Sequence, residues 1–198
     1  MSSAPILPRA ILFDMDGTLT EPLLDFPRIK SEMGIGDHPI LESLAAMEPD
    51  ERRAAQSVLD RHEEEAAAHS TLNRGCRELL DWLAAMQVKS ALITRNSLQS
   101  TRTVLSRHCL HIEVLVTRDD AAPKPNPEPL RLACQRLEVI PADTWMVGDG
   151  VFDIEAGLAA KIRTVWISHG RARRFAAEPW RQVVDLPALL RMLESASW

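Results

Sequence analysis

Asp14 and Asp16 stand two residues apart in Asp14-Met15-Asp16-Gly17-Thr18-Leu19-Thr20, directly after the apolar run Ala10-Ile11-Leu12-Phe13. Side chains two apart on a strand point the same way, so a strand ending here delivers both carboxylates to one side. Gly17 then lets the chain turn sharply out of the strand. Carboxylates so placed are able to share a hard divalent cation and to divide two tasks, nucleophile and acid/base. Taken alone, the pair reads as well as a strand end with two solvated acids. Three further segments weigh against that.

The run Ala91-Leu92-Ile93 ends in Thr94-Arg95-Asn96, followed by Ser97 and a helical pattern. A hydroxyl and free N–H groups at a helix N-terminus form an anion site, although Thr94, Asn96 and Ser97 each serve equally well as helix caps. Lys124 lies in Ala122-Pro123-Lys124-Pro125-Asn126-Pro127-Glu128-Pro129. The prolines stiffen this loop and Pro127 is suited to open a helix, so a lysine that in isolation would be a surface residue becomes a positioned charge. Trp145-Met146-Val147 ends in Gly148-Asp149-Gly150-Val151-Phe152-Asp153. The helix dipole alone favours Asp153 in a first turn. Asp149, between two glycines at a strand end, has no such explanation.

Five short apolar runs, at 10–14, 88–93, 112–116, 144–148 and 163–167, alternate with helical-period segments at 75–86, 97–108, 127–138 and 151–160. That alternation predicts an α/β fold, a doubly wound parallel sheet with helices on both faces. The interval from Thr20 to Asn73 breaks the rhythm with about fifty residues that lack a strand signal. Pro27 and Gly34 bracket a helix there, with Phe26, Ile29 and Met33 as its apolar stripe. A longer helix is expected after Pro49, with Ala55, Val58, Leu59 and Ala66 facing inward. The expected organisation is therefore an α/β core from residues 1–21 and 74–198, carrying a small all-helical cap at 22–73.

Ligands of open α/β sheets bind outside the carboxyl ends of the strands, where strand order reverses. If strands one, two and four are neighbours, Asp14, Asp16, Thr94, Asp149 and Asp153 converge with Lys124. Four crowded carboxylates repel one another, so a divalent cation and Lys124 must offset them. A phosphoryl dianion would be drawn to that cation, to the Lys and to the N–H groups.

Composition narrows the classes. The 198 residues are 45% hydrophobic and 26% charged with a net charge of −5, an ordinary globular balance with no electrostatic reason to bind nucleic acid. The apolar runs are too short to span a membrane, and Met1 to Pro5 do not begin a signal peptide. Three scattered cysteines form neither a zinc nor a disulfide pattern. They are expected as buried or half-buried thiols in a reducing cytoplasm. The absence of Tyr excludes tyrosine chemistry. The segment 22–73 holds eleven Asp/Glu against five Lys/Arg, a net of −6 that leaves about +1 for the rest. Glu63-Glu64-Glu65 is expected as a solvated helix face, and His62 and His69 as surface or packing residues.

In this order the segments resemble the haloacid dehalogenase superfamily of phosphohydrolases. DMDGTLT is similar to its first motif, the Thr94 strand end to its second, Lys124-Pro125 to its third and GDGVFD to its fourth. The helical insertion resembles the cap of the phosphoglycolate-phosphatase-like branch, though it is shorter. The resemblance implies a Mg²⁺-dependent phosphatase in which Asp14 attacks phosphorus and becomes an aspartyl-phosphate. It implies that Asp16 protonates the leaving oxygen and then deprotonates water, and that Thr94 and Lys124 hold the phosphoryl group. It implies Mg²⁺ on Asp14, the Asp16 carbonyl and Asp149, with Asp153 acting through water or orienting Lys124. Many relatives have Asn directly after the second-motif Thr. Here Arg95 intervenes before Asn96, and either one is a candidate to face the substrate.

Dehalogenases of the superfamily lack the second Asp of the first motif, so Asp16 argues for a phosphatase. A phosphomutase would need a cap that shields the phosphoenzyme from water, which a short acidic insertion disfavours. A non-catalytic binding protein on the same scaffold would not need every motif residue. The expected ligand is a small phosphorylated metabolite. Arg28, Lys30, His169, Arg171 and Arg173 are the candidates for contacting it beyond its phosphate, as a group of which at least one does so. Nothing in the sequence selects an oligomeric state, or decides whether Trp180 and Trp198 are core or interface.

Overall fold

The computed structural model describes residues 7–195; the expectations for Met1 to Pro5 and for Trp198 lie outside them. Six strands form one parallel sheet: β1 (Ala10–Phe13), β2 (Lys89–Ile93), β3 (Val114–Val116), β4 (Thr144–Gly148), β5 (Arg163–Ile167) and β6 (Arg181–Val183). Their order is β3-β2-β1-β4-β5-β6. Chain order thus reverses at β1, which pairs with both β2 and β4. This is the doubly wound arrangement, and the reversal creates a crevice at the carboxyl end of β1.

Three helices come first: α1 (Phe26–Met33), α2 (Ile40–Ala46) and α3 (Pro49–His69). Five follow: α4 (Cys76–Ala85), α5 (Leu98–Arg107), α6 (Glu128–Leu137), α7 (Val151–Ala160) and α8 (Leu186–Glu194). Alternation along β1 sends Ile11 and Phe13 to one face, where they pack with Leu79 and Leu83 of α4, Val104 of α5 and Leu189 of α8. Ala10 and Leu12 face the other way, against Leu130 and Ala133 of α6 and Ala156 of α7. β1 is completely buried, as expected for a strand covered on both faces.

Residues Ile29, Ile40, Leu44, Ala55 and Leu59 form a third, separate hydrophobic cluster among α1, α2 and α3. Pro27 opens α1, Asp25 caps it by accepting the Arg28 N–H at 3.0 Å, and Gly34 ends it in the left-handed conformation. The expected stripe of α1 holds at Ile29 and partly at Met33, whereas Phe26 is 50% exposed. In α3, Ala55 and Leu59 are buried while Val58 and Ala66 are half-buried. Sequence reasoning passed over α2, a seven-residue helix behind Pro39. It also passed over α8, although Asp185 caps it (Ala188 N–H at 2.8 Å) and Leu186, Leu189 and Leu193 are buried at helical spacing. β6 has three residues, the first two exposed, at a sheet edge, too short to give a periodic signal. Trp180 just before it packs on Trp145, ring centroids 4.9 Å apart, with the Arg163 and Arg181 guanidiniums over its ring. Among the described residues no helix is long and apolar enough to cross a membrane.

Cys76 and Cys134 are buried as expected, but Cys109 is exposed, which corrects the expectation for that residue. Burial pushes the Cys76 thiol up to about 12 and raises that of Cys134. Since the thiolate is the reactive form, an aromatic disulfide reagent is expected to titrate one thiol rapidly in the native protein and three after denaturation. Two or more fast native thiols would contradict the packing of α4 or α6.

Candidate active site

β1 ends where the Asp14 N–H donates to Val147 O at 2.9 Å, so Asp14 leaves the sheet at its point of reversal. Met15 turns into the core and Asp16 returns to the side of Asp14. The loop closes through the Gly17 N–H to Thr20 O at 2.8 Å, and the Asn73 carboxamide donates to the Thr18 and Thr20 carbonyls at 2.8 and 3.0 Å. Gly17 has φ +81°, and a Cβ there would lie 2.6 Å from Asp149 Oδ2. Only glycine lets the two acidic loops approach so closely.

The Lys124 side chain is 2% exposed, and its Nζ donates to Asp14 Oδ1, Asp153 Oδ1 and Ile93 O, each at 2.6 Å. The ammonium's three N–H groups therefore all have partners. Burial alone would lower its pKa, but Asp14 and Asp153 outweigh that and hold it above the ordinary lysine value. For Asp14, burial raises the pKa well above the ordinary carboxylate value and Lys124 pulls it back. Lys124 Nζ thus lies at salt-bridge distance from two buried carboxyl groups at once, Asp14 and Asp153.

Asp16 lies in a different environment. Burial raises it to about 6, the Asn96 hydrogen bond (Nδ2 to Oδ2, 2.7 Å) opposes the rise and the Glu63 charge adds to it. Two neighbouring acids thus have unlike partners, Asp14 the Lys124 ammonium and Asp16 the neutral Asn96 carboxamide, an asymmetry of the kind that can divide nucleophilic from acid/base work.

Asp149 and Asp153 arrive from the β4–α7 turn. Asp153 Oδ2 accepts the Gly150 N–H at 3.0 Å while Oδ1 holds Lys124. A Cβ on Gly148 would sit 2.2 Å from Asp153 Cγ, so this turn too is drawn tight by glycine. Asp149 is raised by burial, and Arg171 opposes that from 2.9 Å. Asp14, Asp149 and Asp153 each offer a carboxylate oxygen, all within 4.8 Å of one another. An all-oxygen carboxylate donor set suits Mg²⁺ rather than a softer metal.

At the end of β2, Thr94 Oγ1 accepts the Asn96 N–H at 3.1 Å. Asn96 is buried beside Asp16, whereas Arg95 reaches outward to Glu42 of α2 at 2.9 Å, lies 4.6 Å above the Phe152 ring and donates to Lys124 O. Both line the cavity, Asn96 at its acidic end and Arg95 toward the α1–α3 segment. The N-terminus of α5 is not free for an anion: Ser97 N–H donates to Glu63 at 3.1 Å and Leu98 N–H to Asp119 at 2.8 Å.

Glu63 corrects the reading of its acidic run. It is 3% exposed, paired with Arg118 and facing the cavity, while Glu64 and Glu65 are exposed. Arg118 also pairs with Asp60 at 2.8 Å. The missed signal is spacing: Ala55, Leu59, Glu63 and Ala67 lie four apart on the inward stripe of α3. His62 packs against Glu32 at 3.1 Å, as a packing histidine should.

These groups surround a cavity of about 550 Å³. Lys30 and Arg171 line it. Arg28 is taken up by Glu32 at 2.9 Å, His169 Nε2 meets Gly17 O at 2.6 Å, and Arg173 donates to Ala177 O at 2.8 Å, all off the cavity wall.

The haloacid dehalogenase-like hydrolase family model matches residues 27–167. A haloacid dehalogenase-like hydrolase domain-containing protein of Arabidopsis thaliana is 30% identical over 73% of this chain, which spans 64% of that relative's length. The N-acetylmuramic acid 6-phosphate phosphatase of Pseudomonas putida is 30% identical over 82% of this chain and 83% of its own. A hydrolase from Pseudomonas syringae of known structure superposes with a TM-score of 0.80 at 21% identity, over 95% of this chain and 99% of that one. A family match over most of the chain and a sheet that reverses at an acidic strand end lead to one conclusion: the chain belongs to the haloacid dehalogenase-like hydrolases.

Proposed function

We propose that this protein is a phosphatase that hydrolyses a phosphomonoester through an aspartyl-phosphate on Asp14, with residues 22–73 as a cap over the site. The observation that carries the reading is the Lys124 ammonium held 2.6 Å from both Asp14 and Asp153, beside an Asp16 raised to about 6. The phosphatase named among the relatives supports it.

In this reading an Asp14 carboxylate oxygen attacks phosphorus and forms the acyl phosphate, while the bond from phosphorus to the leaving oxygen breaks. Asp16, protonated, gives its proton to that leaving oxygen. It then takes a proton from water, whose oxygen attacks the same phosphorus, and the bond to Asp14 breaks to release inorganic phosphate. Asn96 orients Asp16 for both transfers. Lys124 and the Thr94 hydroxyl stabilise charge on the phosphoryl oxygens, where preorganised groups have their largest effect. Mg²⁺, held by the Asp14 and Asp149 carboxylates and the Asp16 carbonyl, would neutralise phosphoryl charge.

Phosphate release is expected to require Mg²⁺, to stop in EDTA and to return when Mg²⁺ is added back. Acid quench of turnover with phosphorus-labelled substrate is expected to leave hydroxylamine-sensitive label on the peptide containing Asp14. Undiminished turnover in EDTA, or label on a different peptide, would overturn this mechanism.

A further inference from the structure

We infer that the substrate's leaving group is an alcohol with an extended apolar face, seated against Phe26 and its neighbours, rather than a short second anion. The inference rests on the phosphatase reading and specifies its substrate class. The cavity has two unlike ends. Asp14, Asp16, Thr94, Asn96 and Lys124 form one. The other is walled by Leu24, Phe26, Ile40, Leu41 and Leu59, all from residues 22–73. Four of these belong to or support the hydrophobic cluster of α1–α3, which fixes the wall from behind. Phe26 is the exception: it lines the cavity and is 50% exposed. An aromatic ring left wet in a concave site gains free energy only when a ligand covers it.

Volume and charge agree. About 550 Å³ lies within the range that accommodates drug-sized ligands, and a phosphoryl group on a two-carbon acid would leave the Phe26 wall uncovered. The arginines lining the cavity already have carboxylate partners: Arg95 has Glu42 and Arg171 has Asp149, each at 2.9 Å. Lys30 donates to Asp37 O at 2.9 Å. A second negative charge close to the phosphoryl group would instead meet Asp16, whose side-chain partner is the neutral Asn96 carboxamide.

The test is a series of primary alkyl phosphates (ethyl, butyl, hexyl and 3-phenylpropyl) beside 2-phosphoglycolate, with matched leaving-alcohol acidity along the alkyl members. kcat/KM is expected to rise about two- to fourfold per buried methylene, with 2-phosphoglycolate below butyl phosphate. In Phe26→Ala, the ratio of kcat/KM for the 3-phenylpropyl ester to that for the ethyl ester is expected to fall about tenfold. Leu41→Ala should lower the same ratio, giving a second variant that reads the same wall. A flat series, a preference for 2-phosphoglycolate, or ratios unchanged in both variants would overturn the inference while leaving the phosphatase reading standing. Hydrolysis of no member of the series would overturn that reading and the inference together.

Discussion

Asp14→Asn is expected to leave no measurable phosphate release, and Asp16→Asn to leave a small residue of it. An amide oxygen is not a competent nucleophile, so in the proposed mechanism the first change removes the group that forms the covalent intermediate. The second removes proton transfer alone, which typically contributes 10²–10⁴-fold. Both substitutions keep side-chain volume. Asn at position 14 would still place an oxygen near Lys124, which keeps its bonds to Asp153 and Ile93 O at 2.6 Å. Loss of fold is therefore not the expected cause, and circular dichroism on both variants checks that. The decisive comparison is between the two. Turnover by Asp14→Asn equal to or above that of Asp16→Asn would place the nucleophile elsewhere.

Lys124→Ala is expected to depress kcat by about 10²–10³-fold, the usual effect of removing one preorganised group that stabilises transition-state charge. KM should change less, because that charge peaks in the transition state. The variant should also lose stability, since removing one partner of a buried ion pair costs about 3–5 kcal/mol. At 2% exposure Lys124 is buried enough for this magnitude to apply. The sign with pH follows from what remains. Asp14, without its counter-charge, is a buried carboxyl whose folded-state pKa lies above that of the unfolded chain. Groups of that kind contribute stability only while protonated, so it is lost as pH rises through the folded pKa. The Tm deficit relative to wild type is therefore expected to be small at acidic pH and to widen toward neutrality. A pH-independent deficit, or kcat unaffected by the change, would mean that Lys124 serves only as a packing group.

Local rules carried the frame of this molecule and the inventory of its acidic site. Complete apolarity from Ala10 to Phe13 is legible because a central parallel strand is covered on both faces. Asp14, Asp16, Thr94, Lys124, Asp149 and Asp153 are legible because each follows a short apolar run or a rigid proline loop, where chain direction changes. Their meeting could be stated only conditionally. It depends on β1 lying between β2 and β4, and pairing of β1 with strands about 80 and about 134 residues further along the chain is decided by helices packing on both faces.

Where a side chain faces a surface made by another segment, the sequence was silent or misleading. Glu63 reads as one of three solvated acids, yet Arg118 and the α5 N-terminus, both distant in sequence, compensate its burial. Glu63 and Asp119 occupy the N–H groups of α5 that looked free for phosphate. Phe26 reads as a core residue of an amphipathic helix, yet it lines a cavity whose walls come both from α1–α3 and from the strand ends at the sheet's reversal point. Arg28 and Arg171 are both basic residues near the site in sequence terms, and only geometry separates the one on Glu32 from the one on Asp149. Periodicity and turn chemistry act over a few residues and so determined the elements and their acidic ends. The compensation of buried charge and the shape of an empty space require partners from several elements, and tertiary structure alone decided them.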